Sequence, residues 1–418
     1  MAETVTIAHR WSRRYFPSGG AEKVYLLVEV RGTADIRSDR APVNIGLVLD
    51  RSGSMSGKPL DYSRKACQYV TEQMGQNDLL SMVVFDDEIE TVFAPEKVTH
   101  KDLMKHKIAA IEAGGTTNLS GGLVQGAQLV VSSIQEGMVN RVLLLSDGHA
   151  NEGITNRGKL ARIAKEYRSM GVGISTLGVG SGFDEELMEA IAEGGGGNFY
   201  YIEKPVDIPD IFAKELQGVL SVLAQNMRMR LTPSESVAIT NLFGYQPTVM
   251  DGSRSFNLGD IYDQEVKSIL IELTINPLTV GIHHILQLEL DYVDVTDGIK
   301  PYSVVMALSA EFTNHLELLD LPMDAVVEKQ VKITETALAI EKAIEAFDNG
   351  STDAGKMMLR AQADELLRMA VVTDDAQLRA ESLMLYERLE SFGQDSITPQ
   401  DRKALHSQKY RTMKRKNN

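Results

Sequence analysis

Cysteine is almost absent from the sequence, and this limits the class of protein. The single cysteine, Cys67, cannot form an internal disulfide, which disfavours a secreted protein stabilised by disulfides. It stands in an apolar helical stretch, where we expect a small buried side chain. Long apolar runs are also missing: no stretch of about 18 apolar residues occurs, and the N-terminal residues contain no apolar segment of signal-peptide length. The sequence therefore predicts no membrane insertion and a cytoplasmic location.

Basic residues are in deficit. The 418 residues include 43 Lys and Arg against 58 Asp and Glu, which gives a formal charge of −15 at pH 7. Such a surface repels phosphate backbones and anionic membranes, so nucleic acid is not expected as a main partner. A hydrophobic fraction of 43% and a charged fraction of 24% are typical of an ordinary globular protein, and the length suits two or three domains.

Between residues 41 and 225, short apolar runs alternate with helical segments. The predicted strands are Ile45–Leu49, Leu79–Phe85, Val142–Leu145, Val172–Val179 and Asn198–Ile202. Continuous apolar strands are typical of a parallel sheet that is buried on both faces, with right-handed crossover helices covering it. This stretch is therefore predicted to be an α/β domain with a doubly wound parallel sheet.

The hydrophobic pattern has period two on both sides of that domain. Residues 1–40 contain two β-rich runs, and in residues 226–313 Met227, Met229 and Leu231 alternate with two arginines. A strand with one solvent-exposed face and one buried face is typical of an antiparallel sheet. The prediction is a β-sandwich, formed by residues 1–40 and 226–313, into which the α/β domain of residues 41–225 is inserted.

Residues 314–418 are predicted to form a helical domain with a basic tail. Apolar residues recur every three or four positions on one helix, at Ile333, Ala337, Ile340, Ile344 and Phe347. The tail, from Arg402 to Lys416, contains Lys and Arg but no acid. A contact for an acidic partner is one interpretation of the tail, but we favour a frayed, solvated terminus.

Three groups of oxygen-bearing residues fall at the ends of predicted strands or in loops. Asp50, Ser52 and Ser54 follow the first strand of the α/β domain, the loop of residues 114–118 precedes a helix, and Asp147 follows a third strand. Ligands of open parallel sheets gather at the carboxyl ends of the strands. Carboxylates and hydroxyls suit a hard divalent cation, which takes about six oxygen ligands. The arrangement therefore predicts a metal site, although Asp and Ser in one such loop could equally cap a helix.

These motifs together resemble the von Willebrand factor A domain with an intact metal-ion-dependent adhesion site. The resemblance rests on Asp-x-Ser-x-Ser at Asp50, on the loop GGTTNLSGGL and on LLLSDGHANEG, and it spans about residues 43–225. It implies that the hydroxyls of Ser52 and Ser54 bind the metal, with Asp50 and Asp147 binding directly or through water. The distal ligand would be Thr117, with Thr116 as the alternative. Mg2+ fits this ligand set best, and Mn2+ or Ca2+ can substitute.

The function implied by this resemblance is a non-enzymatic, metal-dependent module in a bacterial type of protein. A protein partner would supply a Glu or Asp to the metal, and its contact surface is expected at Met55, Thr116, Asn118 and His149. The oligomeric state stays open.

Other functions remain to be weighed against this one. One is a Mg2+-dependent hydrolase or phosphotransferase with Asp50 as nucleophile, although such enzymes usually place a second acid where Ser52 stands. Another is an assembly subunit that works with an ATPase. A phosphate-binding loop at Gly53–Lys58 is disfavoured, because it is one residue short and Pro59 replaces the Ser or Thr that would bind Mg2+.

Overall fold

The computed structural model describes residues 4–33, 40–147, 150–180, 182–296, 300–392 and 397–414. The first of these segments contains three strands, β1 (Val5–Trp11), β2 (Tyr15–Pro17) and β3 (Ala21–Gly32). They lie before the α/β domain in the chain; β1 pairs with β3, and β2 and β3 pair with strands that follow the domain.

The α/β domain has a six-stranded sheet with helices on its faces. The strands are β4 (Val43–Asp50), β5 (Leu79–Phe85), β6 (Ile89–Lys97), β7 (Val139–Ser146), β8 (Val172–Val179) and β9 (Gly196–Ile202). The helices are α1 (Lys58–Gln73), α2 (Lys101–Ala109), α3 (Leu119–Ser132), α4 (Arg157–Ser169), α5 (Glu185–Gly195) and α6 (Ile208–Leu220). Every residue of β4, β5 and β7 is buried, as expected for strands covered on both faces. This arrangement confirms an α/β domain.

The sheet is mixed, and the expectation of an all-parallel sheet was wrong at one edge. The strand order is β6-β5-β4-β7-β8-β9, and β6 alone runs antiparallel to its neighbour β5. Only three residues, Asp86 to Glu88, connect β5 to β6. A parallel pair needs a crossover of a dozen or more residues, and a connection this short therefore makes β6 antiparallel to β5.

Seven strands follow the α/β domain. They are β10 (Val222–Pro233), β11 (Val237–Leu242), β12 (Thr248–Met250), β13 (Ser253–Tyr262), β14 (Val266–Ile275), β15 (Gly281–Asp294) and β16 (Lys300–Thr313). With the first three strands they form two sheets, β1-β3-β14-β11 and β12-β13-β10-β15-β16-β2. Buried side chains of both sheets, such as Val28 and Ile271 in one and Met229 and Leu288 in the other, belong to one apolar core.

The chain then turns helical, as predicted. The helices are α7 (Leu316–Leu319), α8 (Ala325–Asp348), α9 (Thr352–Thr373), α10 (Ala376–Ser391) and α11 (Pro399–Lys414). Helix α8 begins where the Asp324 carboxylate accepts hydrogen bonds from the backbone N–H groups of Val326 and Val327, at 3.0 and 3.1 Å. The five apolar residues that predicted α8 are all buried. Among the described residues, no helix is both long and apolar enough to span a membrane.

The basic tail is not a frayed terminus, so that prediction was wrong for the part of the tail that the structure describes. Helix α11 packs against the α/β domain, where Arg402 and Lys403 both form ion pairs with Glu185 at the start of α5. The ring of Tyr410 lies 5.7 Å from the ring of Phe199 in β9. The acids of a distant helix thus offset the basic residues, and this pairing cannot be seen in the tail's own sequence.

Candidate metal-binding site

Asp50 is the last residue of β4, and its side chain is fully buried beneath the candidate site. One carboxylate oxygen accepts a hydrogen bond from the backbone N–H of Ser52 at 2.8 Å, and the other accepts from the Ser146 hydroxyl. Burial raises the pKa of Asp50, although both serines oppose the rise. A divalent cation nearby would favour the charged carboxylate instead.

Ser52, Ser54 and Asp147 converge above Asp50. The hydroxyl oxygens of Ser52 and Ser54 are 3.2 Å apart, and the Ser54 hydroxyl donates to a carboxylate oxygen of Asp147 at 2.7 Å. Burial, and then the charge of Asp50, raises the pKa of Asp147 to about 6, against the lowering effect of the Ser54 hydrogen bond. Residues from the ends of two adjacent strands thus present oxygens to one point.

The threonine loop lies directly against the serine turn. The backbone N–H of Gly114 donates to the carbonyl of Arg51 at 2.7 Å, and the N–H of Gly53 donates to the carbonyl of Gly115 at 2.9 Å. Thr117 is buried, whereas Thr116 is exposed and its hydroxyl donates to Glu152 at 2.7 Å. This geometry supports Thr117 as the distal ligand, and that assignment stays a prediction.

Of the four residues predicted to contact a partner, one is buried and one caps a helix. Met55 is fully buried in the core of the domain, so its side chain cannot contact a partner and instead packs beneath the loop. Asn118 caps helix α3, because its side-chain oxygen accepts from the backbone N–H of Gly121 at 2.9 Å. Thr116 is exposed beside the site, and His149 lies outside the described residues.

Three supporting residues were not predicted from the sequence. Ser146 fixes one oxygen of Asp50, and the buried Asp86 accepts from the backbone N–H of Gly115 at 3.2 Å. Arg51 donates to Asp86, also at 3.2 Å. A Cβ at Gly114 would overlap the Asp86 carboxylate, so the loop requires glycine there. Ser146 and Arg51 stand beside predicted ligands, but only the fold brings Asp86 to this loop.

The donor set fits a hard divalent cation. It consists of two carboxylates and the hydroxyls of Ser52, Ser54 and Thr117, all of them oxygens. In the described parts of the chain, no group of three or more His, Cys, Asp or Glu forms an alternative cluster for a metal. A cation at this point therefore has to be held largely by hydroxyl groups.

Comparisons with known proteins concern the α/β domain and the fold. The family model of the von Willebrand factor type A domain matches residues 44–214. An uncharacterised protein of Synechocystis is 27% identical over 75% of this chain and 78% of its own length. The protein YfbK of Escherichia coli is 26% identical over 58% of this chain, but the match spans only 44% of its length.

A solved structure supports the fold along nearly the whole chain. It is described as von Willebrand factor type A from Catenulispora acidiphila, and it has a TM-score of 0.78 at 15% identity, covering 99% of this chain and 98% of its own. At that identity the likeness concerns the fold alone. The sequence motifs, the sheet order and the family match agree, and residues 44–214 of this chain are a von Willebrand factor type A domain.

Proposed function

We propose that the chain is a non-enzymatic interaction module that captures an acidic side chain of a partner protein at a divalent cation. Type A domains commonly mediate protein–protein interactions. The observation that carries the proposal is the convergence of Ser52, Ser54 and Asp147, whose side chains are joined by hydrogen bonds of 3.2 and 2.7 Å. In this proposal, the two sheets formed by β1 to β3 and β10 to β16 make a β-sandwich into which the type A domain is inserted.

The charges of the site favour binding by a carboxylate. Asp50 and Asp147 together balance a divalent ion, and the serine and threonine hydroxyls add no charge. Mg2+, or Mn2+ or Ca2+ in its place, would supply an electrophilic position that a partner's Glu or Asp can fill. Ser54 is exposed and Asp147 is half-buried, so the ligand groups are within reach of another protein.

The geometry of Asp50 argues against the enzymatic alternative. A nucleophilic carboxylate must reach the substrate, but the Asp50 side chain is fully buried and both of its oxygens accept hydrogen bonds. Asp50 is better suited to holding Ser52 and a cation in place. Work with an ATPase as an assembly subunit is compatible with this proposal, since an ATPase could be the captured partner.

Metal binding and partner capture can be tested with one pair of serine variants. We expect Ser54→Ala to weaken Mg2+ binding by about 10-fold or more, since it loses a hydroxyl ligand and leaves Asp147 without that donor. Ser56→Ala is the matched control, because Ser56 is exposed in the same loop and only its backbone N–H bonds to Gly53. Binding is measured by calorimetry, and circular dichroism checks the fold.

Affinity capture tests the partner. The tagged protein is incubated with extract in Mg2+ and eluted with EDTA, and the eluate is identified by mass spectrometry. The proposal expects partners that leave with EDTA and are not retained by Ser54→Ala. Retention of the same proteins with and without EDTA, or equal capture by the variant, would refute it.

A further inference from the structure

A cavity of about 570 Å3 lies where the type A domain, the sheets outside that domain and the C-terminal helices meet. Its walls come from β9 and α6, from the turn of residues 262–265, and from α10 and α11. Strand β9 is an edge strand, with β7 and β8 between it and β4, and no candidate metal ligand lines the cavity. The volume falls in the range of about 300–1,000 Å3 that is typical of small-molecule sites.

Three cationic side chains from three helices line this cavity, namely Lys214, Arg388 and Arg411. The Nε atom of Arg411 is buried, with no hydrogen-bond partner among the described residues. Burial and the charge of Arg388 lower the pKa of Arg411, although Glu381 opposes this, and burial and Arg411 lower that of Lys214. Burial also raises the pKa of Glu381, so its charge is itself disfavoured. The charge of Arg388 thus disfavours that of Arg411, and the charge of Arg411 disfavours that of Lys214.

Five acids line the cavity, and three of them, Glu215, Glu265 and Asp263, contact groups other than the three cations. The buried Glu215 accepts hydrogen bonds from three side chains of β8 and β9. Glu265 lies 3.4 Å from Lys267, and Glu203 is a long 3.8 Å from Arg388. Asp263 accepts from Gln264 at 3.2 Å, and Asp207 completes the acids of the wall.

Aromatic rings form much of the remaining wall. They belong to Phe199, Tyr200, Tyr201, Tyr262 and Tyr410. The hydroxyl of Tyr201 is buried and has no hydrogen-bond partner among the described residues. A buried polar atom without a partner is costly, so a ligand that hydrogen-bonds to it would relieve that cost.

We propose that this cavity binds a small organic anion with a ring-shaped body. Its carboxylate or phosphate is held by Lys214, Arg388 and Arg411, and the Nε of Arg411 donates to it. The ring packs on the tyrosines, and the hydroxyl of Tyr201 bonds to a polar atom of the ligand. Because the cavity joins three parts of the chain, such a ligand would also tie α11 to the type A domain.

Calorimetry with the full chain tests the proposal with three probes: AMP, 4-hydroxybenzoate and inorganic phosphate. We expect one of the two organic anions to bind with a dissociation constant of about 1 mM or tighter. Tighter binding of AMP would identify a phosphate ligand, and tighter binding of 4-hydroxybenzoate a carboxylate. Arg411→Gln should weaken binding by about 10-fold or more, because a charge-assisted hydrogen bond is lost. Arg162→Gln is the control, since its side chain is 72% exposed on α4.

Thermal unfolding without ligand separates binding from stability. Because burial disfavours the charge of Arg411, Arg411→Gln should melt at the wild-type temperature or above, yet lose the shift that the ligand produces. Should this variant fail to fold, Arg388→Gln replaces it, since that side chain is 32% exposed. Asp147→Ala should leave anion binding unchanged, which separates this site from the metal site. Absence of binding by all three probes, or binding that both arginine variants retain, overturns the proposal.

Discussion

Replacing Glu185 with glutamine is expected to loosen helix α11 from the type A domain. The Glu185 carboxylate pairs with Arg402 and with Lys403, and the Lys403 ammonium also donates to the Phe183 carbonyl. The same ammonium lies 4.3 Å from the centre of the Phe183 ring. The side chains of Lys403 and Glu185 are only 5% and 10% exposed, so this is a buried ion pair.

The size of the effect follows from that burial. Removing one partner of a buried pair costs about 3–5 kcal/mol, because a buried charge is left without compensation. Arg402 keeps two hydrogen bonds of 2.8 Å to Asp348, so the loss falls mainly on Lys403 and we expect about 3 kcal/mol. That corresponds to a fall of roughly 100-fold in the hydrogen-exchange protection of the α11 amides.

Glu186→Gln is the matched control for this experiment. Glu186 is the next residue of α5, its side chain is 46% exposed, and it pairs with Arg157 and, at 3.7 Å, with Arg402. A surface pair contributes about 0–1 kcal/mol, so α11 should exchange almost as in the wild type. Equal protection of α11 in the Glu185 and Glu186 variants would refute the reasoning.

The stability that Glu185 contributes through its ion pairs with Lys403 and Arg402 also depends on pH. Burial alone would raise the pKa of Glu185, but the hydrogen bond from Lys403 and the charges of Lys403 and Arg402 lower it overall. A carboxyl whose pKa is lower in the folded state stabilises the fold above its unfolded value, and this contribution is lost as the pH falls through the folded value. The ion pairs of Glu185 should therefore be intact at neutral pH.

Two further predictions concern the helical region. Ile340→Asp should abolish the hydrogen-exchange protection of α8 to α10 while the type A domain keeps its protection. Ile340 is fully buried, and an unpaired charge is costly there. Unchanged protection of α8 would contradict this prediction. Burial, and then the charge of Lys409, lowers the pKa of His406 to about 4, so at neutral pH its ring is uncharged 3.2 Å from Glu189. The contribution of His406 to stability is present above its unfolded pKa of about 6.5 and is lost as the pH falls toward 4. The hydrogen-exchange protection of α11, corrected for intrinsic exchange, should therefore fall over that range in the wild type and fall less in His406→Asn. Equal pH profiles of the two proteins would contradict this prediction.

Local pattern was enough to predict the α/β domain and the convergence of Asp50 and Asp147 at one edge of its sheet. Strands β5 and β8 have the predicted bounds, because their continuous apolar runs can be buried only inside a covered sheet. Asp50 and Asp147 were predicted to lie close together because parallel strands end at the same edge of the sheet. In the structure, the Ser54 hydroxyl donates a hydrogen bond to Asp147. These features depend on periodicity and strand direction, which the sequence carries.

The residues that hold the loops of the candidate site in place are brought together by contacts between distant parts of the chain. Asp86 is tied to the threonine loop by the close approach at Gly114, and Met55 is turned into the core although its neighbour Ser54 is exposed. A sequence shows the residue types in a loop but not which side chains face inward. Three-dimensional packing alone decided which residues near the candidate metal ligands are exposed.

The sequence by itself determined the α/β domain and the helices after residue 314. Only the tertiary structure decided that β6 runs antiparallel and that the basic tail is a docked helix. The short turn between β5 and β6 forces the first of these. The second follows because Arg402 and Lys403 meet an acid more than 200 positions earlier in the chain, and complementary charges that far apart leave no periodic signal in the sequence.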